Sequence, residues 1–142
     1  MTGPHSVRLH ASCVAVDGRG LLILGPSGSG KSSLALQMIG LGALLVADDQ
    51  VEVTRVGEAL VAGAPSALAG LIEARGVGLL RAETVTGVPL HLAVDLGQPA
   101  SPRLPDRHGI MVLETRIDLV KGPLTAHLPA ALLLHMRGGR HA

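Results

Sequence analysis

Gly25-Pro26-Ser27-Gly28-Ser29-Gly30-Lys31-Ser32 is the stretch that decides the fold. It matches G-x-x-x-x-G-K-[ST], the pattern of a loop that cradles a phosphate chain. Glycines let backbone N–H groups turn inward without Cβ clashes. A helix beginning near Lys31 adds free N–H groups and the positive end of its dipole. Lys31 is then expected to reach the β- and γ-phosphates, and Ser32 to ligate Mg²⁺. The bland alternative is a chance cluster in a chain with 19 glycines. Position argues against chance. The apolar run Leu21–Leu24 precedes the loop, helix-forming Ser32–Ile39 follows it, and lysine occurs only twice in the chain.

Outward from the loop, Ser12–Val16 and Leu21–Leu24 read as strands around the turn Asp17-Gly18-Arg19-Gly20. Gly40 and Gly42 can stop the helix. Ala43–Ala47 reads as a buried strand ending in Asp48-Asp49, where α/β proteins place ligands. Alternation around Val51, Val53 and Arg55 gives another strand, with Ala59–Ala62 as hairpin partner. Ile72–Arg75 and Leu79–Glu83 are short apolar segments near Gly76 and Gly78. Pro89–Leu96 and Ile110–Val120 read as strands, residues 97–109 as a flexible loop, Ala130–Met136 as a terminal helix, and residues 137–142 as a frayed tail. Short strands around one loop–helix unit predict an α/β fold, a mixed sheet with few helices, in a single domain of residues 1–142.

Composition narrows the chemistry. The chain has 142 residues, is 47% hydrophobic and 16% charged, and contains no Phe, Tyr or Trp. It is too apolar for disorder. Base-stacking nucleic-acid modules and aromatic cation cages are excluded. Net charge is +1, which gives no electrostatic case for nucleic acid or an anionic membrane. Cys13 is the sole cysteine, so no intrachain disulfide can form, and no Cys/His cluster has zinc spacing. Met1–His5 lacks a basic segment leading into an apolar one, and the long charge-free stretches, Ser32–Ala47 and Gly122–Met136, fall short of a membrane span. The default expectation is a soluble cytoplasmic protein. So apolar a chain is also expected to self-associate into a homo-oligomer.

Phosphoryl transfer needs acidic groups beside the phosphate loop. Asp48 and Asp49 stand one helix and one strand downstream of it. Glu73-Ala74-Arg75-Gly76-Val77-Gly78 puts an acid and a base two residues apart, on one face if the segment is extended. The alternatives are a solvated turn for the aspartates and a surface ion pair for Glu73 and Arg75.

Together these segments resemble the HPr kinase/phosphorylase family. Its catalytic domain carries the phosphate loop, a strand ending V-A-D-D followed by V-E, and an E-x-R-G-x-G signature. Here these are Gly25–Ser32, Val46-Ala47-Asp48-Asp49 with Val51-Glu52, and Glu73–Gly78. The run Leu9–Gly18 is similar to the family's strand that begins with a histidine, which falls on His10. The four matches are collinear over residues 8–96. The loop is common to many families; its combination with the aspartate pair and E-x-R-G-x-G is far more specific.

The resemblance implies a fold close to the phosphoenolpyruvate carboxykinase core. It also implies a serine kinase acting on HPr, the phosphocarrier protein of the phosphotransferase system. ATP, or another donor such as pyrophosphate, would lie on Gly25, Pro26, Ser27, Gly28, Ser29, Gly30, Lys31 and Ser32. Mg²⁺ would be held by Ser32 and Glu73. Asp49 would be the general base, supported by Asp48, with His10 and Lys31 as further catalytic residues and Arg75 steadying phosphate. A catalytic arginine is expected in the 97–109 loop, where Arg103-Leu104 resembles the family's R-L pair more than Arg107 does. The chain begins almost at the catalytic strand, as short forms of the family do, and reversal by phosphorolysis is a further expectation. Two other readings stay open. One is a non-catalytic nucleotide-sensing module acting on a partner such as a sensor kinase. The other is a P-loop kinase of a small metabolite, which the E-x-R-G-x-G segment disfavours.

Overall fold

The structure is a computed structural model that describes residues 5–142; the reading of Met1–His5 as carrying no leader falls largely outside them. In chain order the strands are β1 (Ser6–Leu9), β2 (Ser12–Val16), β3 (Arg19–Leu24), β4 (Leu44–Ala47), β5 (Val51–Val56), β6 (Ala59–Gly63), β7 (Leu71–Ala74), β8 (Gly78–Arg81), β9 (Val88–Asp95), β10 (His108–Val112) and β11 (Thr115–Lys121). Two helices, α1 (Lys31–Gly40) and α2 (Leu128–Gly138), complete the regular structure with a 3₁₀ turn at Ser66–Leu68. This is an α/β fold with a mixed sheet and few helices.

Nine strands join in one sheet, ordered β1-β5-β6-β9-β3-β2-β4, with β11 also on β9 and β10 on β11. Strand β9 forks: its start pairs antiparallel with β6, and its end pairs parallel with both β3 and β11. Strands β7 and β8 form a separate two-stranded sheet.

Pairing directions decide where a site can form. Strand β2 runs antiparallel to both β3 and β4. The carboxyl ends of β3 and β4 therefore share one edge of the sheet with the amino end of β2. That edge carries the Gly25–Ser32 loop, Asp48-Asp49 and His10 together.

Side chains alternate about the sheet as a period of two requires. Leu21, Ile23, Leu92 and Val94 pack on one face with Leu34, Ala35 and Met38 of α1 and with Leu132 and Met136 of α2. Leu22 and Ala93 point to the other face, where Val51, Val53, Leu60, Ala62 and Ile117 close over them. Aliphatic residues fill both layers without any aromatic ring, joined by Met38 and Met136 on the α1 side and by Cys13 on the other.

Several elements differ from the sequence expectation. Ile110–Val120 is a hairpin, not one strand, because the chain reverses at Leu113 and Glu114, both with positive φ. Strand β1, an edge strand on β5, is absent from the sequence reading. Strand β10 already begins at His108, and α2 starts at Leu128 and runs through Arg137 to Gly138. No helix among the described residues is long and apolar enough to cross a membrane.

Candidate active site

The phosphate-loop residues lie between β3 and α1, as their glycines require. Gly25 has φ 146° and Gly30, the residue capping α1, has φ 102°, conformations that L side chains rarely adopt. A Cβ on Gly25 would sit 2.5 Å from Ser29 Oγ. Lys31 is buried, and its Nζ donates to Gly25 O at 2.7 Å and Pro26 O at 3.2 Å, so the ammonium lies over the loop.

Asp48 is aimed by a β-bulge. Cys13 pairs with Ala47 and Val14 with Leu45, which leaves Val46 as an extra residue on β4. Leu45 packs in the α1-side core, whereas Val46 and Ala47 both pack in the opposite one. Alternation resumes after that doubled step, so Asp48 returns to the α1 side. Without the bulge its carboxylate would face away from the loop. Cys13 pairs with Ala47, so one further step along the ladder sets Ser12 across from Asp48.

The resulting cluster is tight. Asp48 is buried, and its Oδ1 accepts from Ser12 Oγ at 2.8 Å and from Ser32 Oγ at 2.7 Å. Its Oδ2 accepts from Glu73 N–H at 3.2 Å. Asp49 adopts φ 70°, a left-handed turn that aspartate tolerates better than most residues, and its carboxylate is exposed. Asp49 Oδ1 lies 3.0 Å from His10 Nε2. The neighbouring carboxylates thus differ: Asp48 is committed to internal donors, whereas Asp49 faces solvent.

A pocket of about 360 Å³ opens over these groups. His10, Lys31, Ser32, Asp49, Glu73 and Arg75 line it together with Ser12, Ser33 and parts of the glycine loop. Glu73 ends its outward reach on β7, and Arg75 follows at the β7–β8 turn. Arg103 is not among the lining residues; it is exposed in the 96–107 segment, as is Arg107, whose guanidinium donates to Arg140 O at 3.4 Å. The arginine brought to the pocket is Arg75.

Sequence reasoning missed Ser12. Its signal was a hydroxyl inside an apolar strand, a group that must find a partner once buried. Cys13 is fully buried, and burial pushes its thiol far above the ordinary value, which excludes it as a nucleophile. His91 lies outside the pocket; burial, reinforced by Arg19 and His135, lowers its imidazole from the ordinary value.

The donors suit a hard divalent cation. Ser32 and Glu73 offer oxygen ligands only, and Mg²⁺ is ordinarily held by one or two carboxylates completed by phosphate oxygens and water. No group of three or more His, Cys, Asp or Glu among the described residues forms a metal cage. A metal here would share its coordination with a phosphorylated ligand.

Known proteins resemble this chain in sequence and in fold. Residues 4–95 match the model of the HPr Serine kinase C-terminal domain. The HPr kinase/phosphorylase of Alkaliphilus metalliredigens is 34% identical over 96% of this chain and 48% of its own length. That of Aromatoleum aromaticum is 39% identical over 88% of this chain and 42% of its own. The chain thus spans about half the length, or less, of the curated relatives it matches. The solved structure of the HPr(Ser) kinase/phosphatase from Coxiella burnetii superposes with a TM-score of 0.81 at 25% identity, covering 92% of this chain and 88% of that one. With the family model matching well over half of its residues, the chain belongs to the HPr serine kinase C-terminal domain family.

Proposed function

We propose that this chain transfers the γ-phosphoryl group of ATP to a serine of an HPr-type phosphocarrier protein. One observation carries the reading: Lys31 and Ser32 of the phosphate loop share a pocket with the exposed carboxylate of Asp49. A phosphate cradle and a solvent-facing base are the two halves that serine phosphorylation needs.

The polyphosphate lies along Gly25–Ser32, held by backbone N–H groups and the Lys31 ammonium. Ser32 and Glu73 would hold Mg²⁺, which would supply neutralisation of the phosphate charge. Asp49 takes the hydroxyl proton of the substrate serine as its oxygen attacks the γ-phosphorus. The bond from phosphorus to the bridging oxygen breaks, ADP leaves, and the proton passes from Asp49 to solvent. His10, 3.0 Å from Asp49, orients that carboxylate. Arg75 balances charge on the phosphoryl group in flight. The same groups would serve the reverse displacement, in which orthophosphate removes the phosphoryl group as pyrophosphate.

The test is a phosphotransfer assay with the HPr protein of the same organism, ATP and Mg²⁺, read as phosphoserine by mass spectrometry. Asp49→Asn is expected to lose transfer by about three orders of magnitude, within the range for positioned proton transfer, while keeping nucleotide affinity. ATP binding by the wild type without transfer to any HPr-like protein would refute the kinase reading.

A further inference from the structure

The mechanism leaves the buried hydroxyl of Ser12 unexplained. Ser12 is 0% exposed, sits in an otherwise apolar strand and spends its single hydroxyl proton on Asp48 Oδ1 at 2.8 Å. That oxygen is also the acceptor for Ser32, at 2.7 Å.

A hydroxyl has one proton and two lone pairs. Because Ser32 gives its proton to Asp48, its lone pairs are free for a cation on the pocket side. That orientation holds only while Asp48 Oδ1 stays in place. The Glu73 N–H fixes Oδ2, and the Ser12 hydroxyl is the second anchor, on Oδ1. The β2–β4 bulge that turns Asp48 toward α1 also sets Ser12 across from it.

Resting on the proposed binding of a metal–nucleotide complex, we propose that Ser12 is a positioning residue. Through Asp48 it holds the Ser32 hydroxyl in the orientation that accepts the divalent cation, and so sets how strongly magnesium reinforces nucleotide binding. Removing groups that orient a metal ligand ordinarily costs about 10–100-fold in metal affinity. Phosphate contacts made by the loop backbone and Lys31 do not depend on Ser12.

Calorimetric titration of a non-hydrolysable ATP analogue into the full chain, with and without magnesium, tests this. The readout is the ratio of the two affinities. Ser12→Val and Ser12→Thr have nearly the same shape and differ by the hydroxyl. Ser12→Val is expected to lower the ratio about tenfold and leave magnesium-free affinity unchanged; Ser12→Thr is expected to keep the ratio within about twofold. Should the valine variant not fold, Ser12→Ala gives the same reading at smaller volume. A wild-type ratio retained in Ser12→Val overturns the proposal alone, as does a parallel loss of both affinities, which is the mark of a packing role. A wild-type ratio of one overturns the metal–nucleotide reading beneath it as well.

Discussion

Asp48→Asn separates the chemistry of the cluster from its shape. The carboxamide matches the carboxylate in size but offers one acceptor oxygen and one NH₂ donor. With its oxygen placed at Oδ1 it can still accept from Ser12 and Ser32, now through neutral bonds roughly half as strong. Its NH₂ then meets Glu73 N–H, donor against donor, where Oδ2 had accepted at 3.2 Å. Turning the amide over moves the conflict to the serines. One lost backbone bond costs about 1–3 kcal/mol, and weakening of the two hydroxyl bonds adds about 1 kcal/mol. We expect a loss of about 2–4 kcal/mol. For a domain of this size that lowers Tm by roughly 8–15 °C. Urea unfolding followed by circular dichroism measures it, with an unchanged m-value required for the comparison. A change under about 0.5 kcal/mol, the ordinary size of a surface substitution, would refute the assignment of Asp48 as a buried triple acceptor.

Other outcomes follow from single features. Gly25→Ala forces a side chain onto φ 146° and against Ser29 Oγ, so nucleotide affinity should drop at least about tenfold with a stability loss of about 1–3 kcal/mol; adding Ser29→Gly relieves the contact but not the backbone, so calorimetry should show partial recovery. Cys13 should resist a thiol reagent at pH 8 in the folded chain and react fully in urea, because burial raises its thiol and blocks access. No Phe, Tyr or Trp is present to stack on adenine. GTP should therefore replace ATP within about tenfold in the transfer assay, the discrimination that apolar contacts provide; a thousandfold preference for ATP would contradict this.

The loop and α1 were legible because glycine spacing and backbone demand coincide there. So was the placement of Asp48-Asp49 at a strand end. The bulge that aims Asp48 was not legible, since Val46 carries no glycine or proline to mark it. The β10–β11 turn was hidden for a similar reason: Leu113 and Glu114 take left-handed φ without the Asn or Gly that usually signals such a turn. Strand β1 has no core-facing alternation because it lies half-buried at an edge. Ser12 went unmarked because its role depends on Asp48, its partner across the ladder. Arg103 drew attention through a two-residue resemblance, too short to fix a position in space.

Glu73 and Arg75 ride on a different support from Lys31 and Asp49. The β7–β8 sheet has two strands, every residue of β8 is exposed, and two-stranded sheets are marginal in water. Buried Ile72, the Glu73 N–H bond to Asp48, and backbone bonds between Leu45 of β4 and the Glu83–Val85 segment that follows β8 tie it down. The pocket's two walls are therefore expected to open separately. Amide hydrogens of β8 should exchange through local opening at a small fraction of the global unfolding free energy, whereas those of β3 and β9 should wait for the whole molecule to unfold. A ligand bridging the walls would slow β8 exchange selectively, so the free energy of closing the pocket could be read from that hairpin alone.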